Sequence, residues 1–218
     1  MAAALKRNTV EERRAEILRT TCEVVIERGF GGTRIADVAN KLGVSTGLIH
    51  YHFESKEHLL AEAFKFAARE ERDSLEEDLG SAPNSVARLD RLIKNYTPKP
   101  DDLDWLMWID SWGEALRNPV MRSISQELDI ESTGVIERVI REGVERGEFR
   151  CEDPTATAWR LAALLDGLGV QLTVHDGMLT RNQMVKHVQS AALAELGLEP
   201  DAFAAKNLRR RRAPVETR

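Results

Sequence analysis

Apolar residues recur along the chain at intervals of three and four, and no stretch alternates as a half-buried strand does, so the pattern predicts an all-α fold. The first helix is expected to open on a capping box, Thr9 with Glu12 three residues on, and to bury Ile17, Leu18, Thr21, Val24 and Val25. Gly29 is placed to stop it. Thr33 is read as the cap of a short second helix containing Ile35, Val38 and Ala39, which Gly43 breaks. Ser45 then caps a third helix through Thr46, Leu48, Ile49 and Tyr51, and Ser55 a long fourth one carrying Leu59, Leu60, Ala63 and Phe64.

Residues 80–84 read as a loop and a domain boundary. A fifth helix carries Leu89, Leu92, Ile93 and Tyr96 and ends at Pro98 and Pro100. Asp101 is expected to cap the sixth, with Trp105, Trp108, Ile109 and Trp112. Asn118-Pro119 and Asp153-Pro154 each pair a capping side chain with proline at the first helical position, which starts the seventh and eighth helices. Thr180 with Gln183 opens the ninth. The division expected is a flexible 1–9, a first helical domain over 10–70 with a compact helical motif at 33–52, a second helical domain over 71–198, and a mobile basic tail over 199–218.

Composition narrows the function classes. Of 218 residues, 42% are apolar, enough for a packed core, which excludes a wholly disordered chain. No apolar run approaches the roughly 18–20 residues of a membrane span, and the first residues lack a signal peptide's apolar stretch. Cys22 and Cys151 are far apart and outside any CxxC, so neither a disulfide framework nor a zinc site is expected, and a reducing cytoplasm is the expected compartment. No metal ligand set, nucleophile elbow or phosphate-cradling glycine loop occurs, so no enzyme and no cofactor are expected. The net charge of −5 hides a gradient: residues 1–58 sum to +1, 59–205 to −11 and 206–218 to +5. An acidic middle with less acidic ends suits an end that meets a polyanion, although solvated helix faces give the same balance.

The stretch from Thr33 to Lys56 carries the most chemistry. A helix-turn-helix needs a small residue where two helices cross, a glycine to turn the chain and apolar residues to lock the angle, and Ala39, Gly43 and Val44 supply these with Ile35, Leu42 and Ile49 inward. The third helix then offers Ser45, Thr46, Gly47, Leu48, His50 and Tyr51 to a major groove, while Tyr51, His52 and Lys56 lie where phosphates run. Capped helices joined at a glycine also occur in purely structural bundles.

The run Thr33-Arg34-Ile35-Ala36-Asp37-Val38-Ala39, then Leu42-Gly43-Val44-Ser45, Leu48-Ile49-His50-Tyr51-His52-Phe53 and Ser55-Lys56-Glu57-His58-Leu59-Leu60 resembles the DNA-binding domain of TetR-type transcriptional regulators over about residues 10–70. His50 stands where the commoner form has tyrosine. The resemblance implies phosphate anchors at Thr33, Tyr51 and Lys56 and base-facing positions at Thr46, Gly47, Leu48 and His50. It also implies a helical ligand-binding and dimerisation domain, a homodimer packed through the last two helices, a palindromic double-stranded operator and release by a small-molecule effector.

The second half is read in two ways throughout. Trp105, Trp108 and Trp112 share one side of their helix beside Asp104, Asp110 and Glu114, an arrangement suited to an organic cation or simply to a core. The segment from Trp112 to Pro119 resembles the choline-responsive, BetI-like subgroup. Asp166, among apolar neighbours, is either a pocket group or a partly solvated one. Ala162, Leu165 and Leu168 with Met184, Val188 and Ala191 form faces for a dimer seam or for the chain's own core. The arginine run at 209–212 either attracts phosphate or extends into solvent. The reading favoured is a DNA-binding regulator acting as a repressor; the alternative is a helical binding protein that has lost its DNA.

Overall fold

The computed structural model describes residues 9–99 and 103–209. Among them lie ten helices and no strand: α1 (Val10–Gly32), α2 (Ile35–Leu42), α3 (Thr46–His52), α4 (Lys56–Gly80), α5 (Ser85–Asn95), α6 (Leu103–Ala115), α7 (Pro119–Glu145), α8 (Pro154–Val174), α9 (Arg181–Glu195) and α10 (Ala205–Leu208). The helix starts follow the capping chemistry. Thr9 Oγ1 accepts from the Glu12 N–H while Glu12 accepts from the Thr9 N–H, and Thr180 with Gln183 does the same at α9. Asn118 accepts from the Val120 and Met121 N–H groups, and Asp153 from that of Ala156. Asp101, expected to cap α6, lies outside the described residues.

Two expectations are corrected here. Thr33 does not cap α2: it ends α1, and Arg34 is the N-cap, its N–H bound by Asp37. The mobile tail does not begin near 199, because Ala202 is buried, Phe203 packs on the neighbouring core and the Asn207 carbonyl accepts from Asn84 Nδ2 at 2.9 Å. The sequence Asp201 to Leu208 lacks helical periodicity long enough to show this, since α10 is a single turn held by tertiary contact. Arg209 is exposed, and Arg210–Arg212 lie outside the described residues.

The chain forms two compact units. One comprises the residues up to Glu70 with Leu106–Leu128, the other Glu71–Trp105 with the residues from Asp129 onward. The expected single cut near residue 70 is therefore too simple: α4, α6 and α7 each run from one unit into the other. The first unit is built on Ile17, Val24, Val38, Ile49, Phe53 and Leu59, with a second cluster of Val25, Phe30, Leu60, Phe64, Met107 and Met121. The second unit's core joins Leu89, Leu92 and Ile93 of α5 to Ile136 and Ile140 of α7, Leu161 and Leu165 of α8 and Met184 and Val188 of α9. Each such side chain, fully buried, contributes about 1.5–3 kcal/mol before entropy is counted.

That core bears on the two readings of α8 and α9. Ala162, Leu165, Met184 and Val188 are buried inside the chain, with Leu168 and Ala191 packed against them. Ala162, Leu165, Met184 and Val188 are thus taken up by the chain's own interior, which corrects their expected place in a dimer seam, while Leu168 and Ala191 keep part of their surface outside the core. The outward side of α8 is a different stripe, Trp159, Ala163, Gly167 and Val174, all exposed, with half-buried Val170 between them.

Candidate nucleic-acid interface

The geometry around α3 begins at its turn. Gly43 closes α2 at φ 72°, a left-handed conformation that costs an L side chain about 1–2 kcal/mol, and its N–H donates to the Asn40 carbonyl. The Val44 N–H returns to the Ala39 carbonyl at 2.9 Å. Ser45 then caps α3 by accepting from the Leu48 N–H at 3.3 Å. Ile49 is the buried anchor of this seven-residue helix, and Phe53 beyond its end fixes the exit under the Arg14 guanidinium, 4.6 Å from the ring centroid.

With one side so anchored, Ser45, Thr46, Gly47, His50 and Tyr51 face solvent. Tyr51 is 74% exposed although it is aromatic, and packs only edge-on against His52, centroids 5.1 Å apart. Leu48 and His52 are half-buried, so Leu48 presents only part of its surface. Lys56, at the start of α4, donates from Nζ to the Gly31 carbonyl at 3.3 Å and is half-buried. Thr33 is different. It is 1% exposed, and both its N–H and its hydroxyl donate to the Gly29 carbonyl, at 3.1 and 2.7 Å. Its donors are committed to the α1–α2 junction, which corrects the expectation of a phosphate anchor there.

Much of the first unit's positive charge is internally matched. Lys41 bonds Glu27 and Glu23, which raises its pKa, Arg28 lies 3.6 Å from Asp37, and Arg14 bonds Glu62. Among the ion pairs of the described residues, Lys56 and Arg34 have no carboxylate partner, so unmatched charge lies at the starts of α2 and α4, beside α3, as it does at Arg69, Arg117 and Arg122 elsewhere in the unit.

The residues expected to hold an effector separate into two surroundings. In the first unit, Trp108 and Trp112 are half-buried with centroids 6.2 Å apart, and Trp108 stands edge-on to Phe64 at 4.9 Å. In the second, Trp105 is only 9% exposed, its ring laid against α8 at Gly169, where a Cβ would overlap Cη2, Cζ3 and Cζ2. No local sequence signal marks Gly169 for this. Two carboxylates expected beside the tryptophans are used elsewhere: Asp110 accepts from the Phe30 N–H and Glu114 from Asn118. Asp166 sits at the margin of the outward stripe of α8, its pKa pushed up to about 6 by desolvation and then by the charge of Asp129.

Comparison with known proteins places this geometry. Residues 17–63 match bacterial regulatory proteins of the TetR family, and residues 85–197 match the C-terminal domain of BetI-type transcriptional repressors. The HTH-type transcriptional regulator BetI of Escherichia coli (strain K12) is 25% identical over 182 residues, spanning 80% of this chain and 91% of that protein. A transcriptional regulator of Saccharomonospora viridis, solved in complex with choline, is 32% identical, with TM-score 0.76 over 85% of this chain and 98% of its own. A TetR-family regulator of Rhodococcus sp. is 26% identical, with TM-score 0.76 over 86% of this chain and all of its own. No described helix is long and apolar enough to cross a membrane. The chain belongs to the TetR family of DNA-binding transcriptional regulators and carries a BetI-type C-terminal domain.

Proposed function

We propose that the protein is a homodimeric repressor of the cytoplasm that holds an inverted-repeat operator and leaves it when choline or a related quaternary ammonium compound binds. The observation that carries the DNA contact is the exposed face of α3, with Thr46, Gly47 and His50 free of the core and Tyr51 at its end. In this reading Thr46 and His50 read base edges and Gly47 allows close approach. Tyr51, Lys56 and the Ser45 end of α3 hold phosphates, while His52 supports the Tyr51 ring. An aromatic ring kept in water also argues against a fold that has lost its DNA.

The dimer packs through the outward stripe of α8, Trp159 to Val174, against the small exposed residues Ser190 and Ala194 of α9. Small side chains there favour close helix packing, and the large apolar groups gain a partner. The effector assignment is supported by the BetI-type match and by the choline-bound relative. Trp108 and Trp112 offer indole faces to a trimethylammonium group, each contact contributing about 0.5–2 kcal/mol. The protein acts by binding: a preference of about 1–3 kcal/mol of the effector for the DNA-free state changes operator occupancy about 5–150-fold.

The test is selection of bound duplexes from a random pool, followed by titration of the retarded complex with choline and with ethanolamine, which lacks the methyl groups. The reading expects an inverted repeat released by choline at far lower concentration than by ethanolamine. Equal release by both, or by neither, contradicts the effector assignment, and failure to enrich any duplex contradicts the operator.

A further inference from the structure

The junction between α1 and α2 is held from three sides. At Gly29 the chain leaves helical geometry, φ 73° and ψ 163°, so the Phe30 N–H turns away from the helix. It donates to Asp110 Oδ2 on α6 at 2.5 Å, and a Cβ at Gly29 would stand 3.1 Å from that same oxygen. The Phe30 ring is fully buried and edge-on to Phe64, which in turn meets Trp108. The Gly29 carbonyl takes both donors of Thr33, and the Gly31 carbonyl takes Lys56 Nζ. Of the hydrogen-bonding groups at this junction, Asp110 comes from outside α1–α4. A charge-assisted hydrogen bond of this kind is about twice as strong as a neutral one.

We propose that Asp110 is a positioning residue for DNA binding. Its carboxylate fixes the Gly29–Thr33 junction from which α2 starts and against which the Lys56 ammonium rests, so it governs the phosphate contacts without facing DNA. A sequence reading puts Asp110 with the tryptophans because it shares their helix, whereas the structure turns it toward α1. The inference rests on the proposed phosphate role of Lys56.

The test compares Asp110→Ala and Asp110→Asn with Lys56→Ala on the full-length protein, measuring affinity for operator and random duplex across salt at a temperature where each variant is folded. Asp110→Ala is expected to weaken both duplexes by about the same factor, tenfold or more, leaving operator preference intact. The slope of log K against log salt is expected to become shallower by about 1–2, as if one lysine per subunit had left its phosphate. Asp110→Asn, which keeps the shape but not the charge, is expected to fall between. Combined with Thr33→Val, which removes the hydroxyl on the same junction, the loss is expected to be less than the product of the single losses. If Asp110→Ala or Asp110→Asn only melts earlier and binds with wild-type affinity and slope, or if the Thr33 and Asp110 effects multiply, the inference is overturned. If Lys56→Ala is weakened while the Asp110 variants are not, it fails alone. If Lys56→Ala binds as wild type, the phosphate assignment fails and takes the inference with it.

Discussion

Replacing Gly169 with alanine isolates a contact that determines where a candidate effector residue sits. Gly169 lies within α8, where alanine is favoured over glycine by up to about 1 kcal/mol. Helix propensity alone therefore expects the variant to be more stable. The Trp105 ring opposes this, since it occupies the space of the new methyl and must retreat about 1.5 Å to reach van der Waals distance. Exposing about 100 Å² of a ring that is 9% exposed costs about 2.5 kcal/mol, within the range of about 1–3 kcal/mol for overpacking. The net expectation is a loss of about 1–2 kcal/mol, or about 2–8 °C in Tm for a chain of this size. In a Trp105→Ala background the obstacle is gone and the same change should stabilise by about 0.5–1 kcal/mol, so the sign reverses. Gly134→Ala on α7, where nothing lies within 4 Å of the new Cβ, is the control and should stabilise in either background. Urea unfolding at fixed protein concentration reads all of these. A Gly169→Ala effect of the same sign and size with and without Trp105 refutes the reasoning.

Lys56→Ala should make the salt dependence of operator binding shallower by about 2 per dimer, while Lys41→Ala, whose ammonium is matched by Glu23 and Glu27, should leave the slope unchanged; retardation from 50 to 200 mM salt decides. Trp159→Glu places a charge on the outward stripe of α8 and should shift the protein toward monomer in sedimentation, with secondary structure retained; an unchanged dimer removes that stripe from the interface. Asp166 holds its proton more tightly when folded, with a pKa of about 6 against 3.8, so its contribution to stability is fully present below about pH 4 and is lost as pH rises through about 6. Asp166→Asn should flatten unfolding stability between about pH 4 and pH 7 at fixed protein concentration, and an undiminished fall across that window counts against the assignment.

How far the sequence reached depended on the range of the interaction involved. Caps are local, and Thr9 with Glu12, Ser45, Asn118, Asp153 and Thr180 with Gln183 were all legible because donor and acceptor lie within three residues. The α2 start was misplaced by one residue because Thr33 and Arg34 both precede the apolar pattern. The competing bond of the Thr33 hydroxyl to the Gly29 carbonyl depends on a kink that sequence does not encode locally. On α8 the apolar residues surround the helix, Leu161 and Leu165 inward and Trp159 and Val174 outward, so periodicity alone does not say which face a partner would cover. The placement of Asp110 on α1 and of Trp105 on Gly169 joins residues far apart in sequence, and each depends on packing that forms only with the fold.

The most direct test of the central claim, that α3 is the element entering DNA, is hydroxyl-radical and methylation-protection footprinting on a selected duplex, with wild type and with Thr46→Ala and His50→Ala. Two protected major-groove segments are expected, related by twofold symmetry and centred about one helical turn, or a multiple of it, apart. Each variant should lose guanine N7 protection within those segments while backbone protection persists. Protection that is continuous, confined to one groove segment, or unchanged by both substitutions contradicts it.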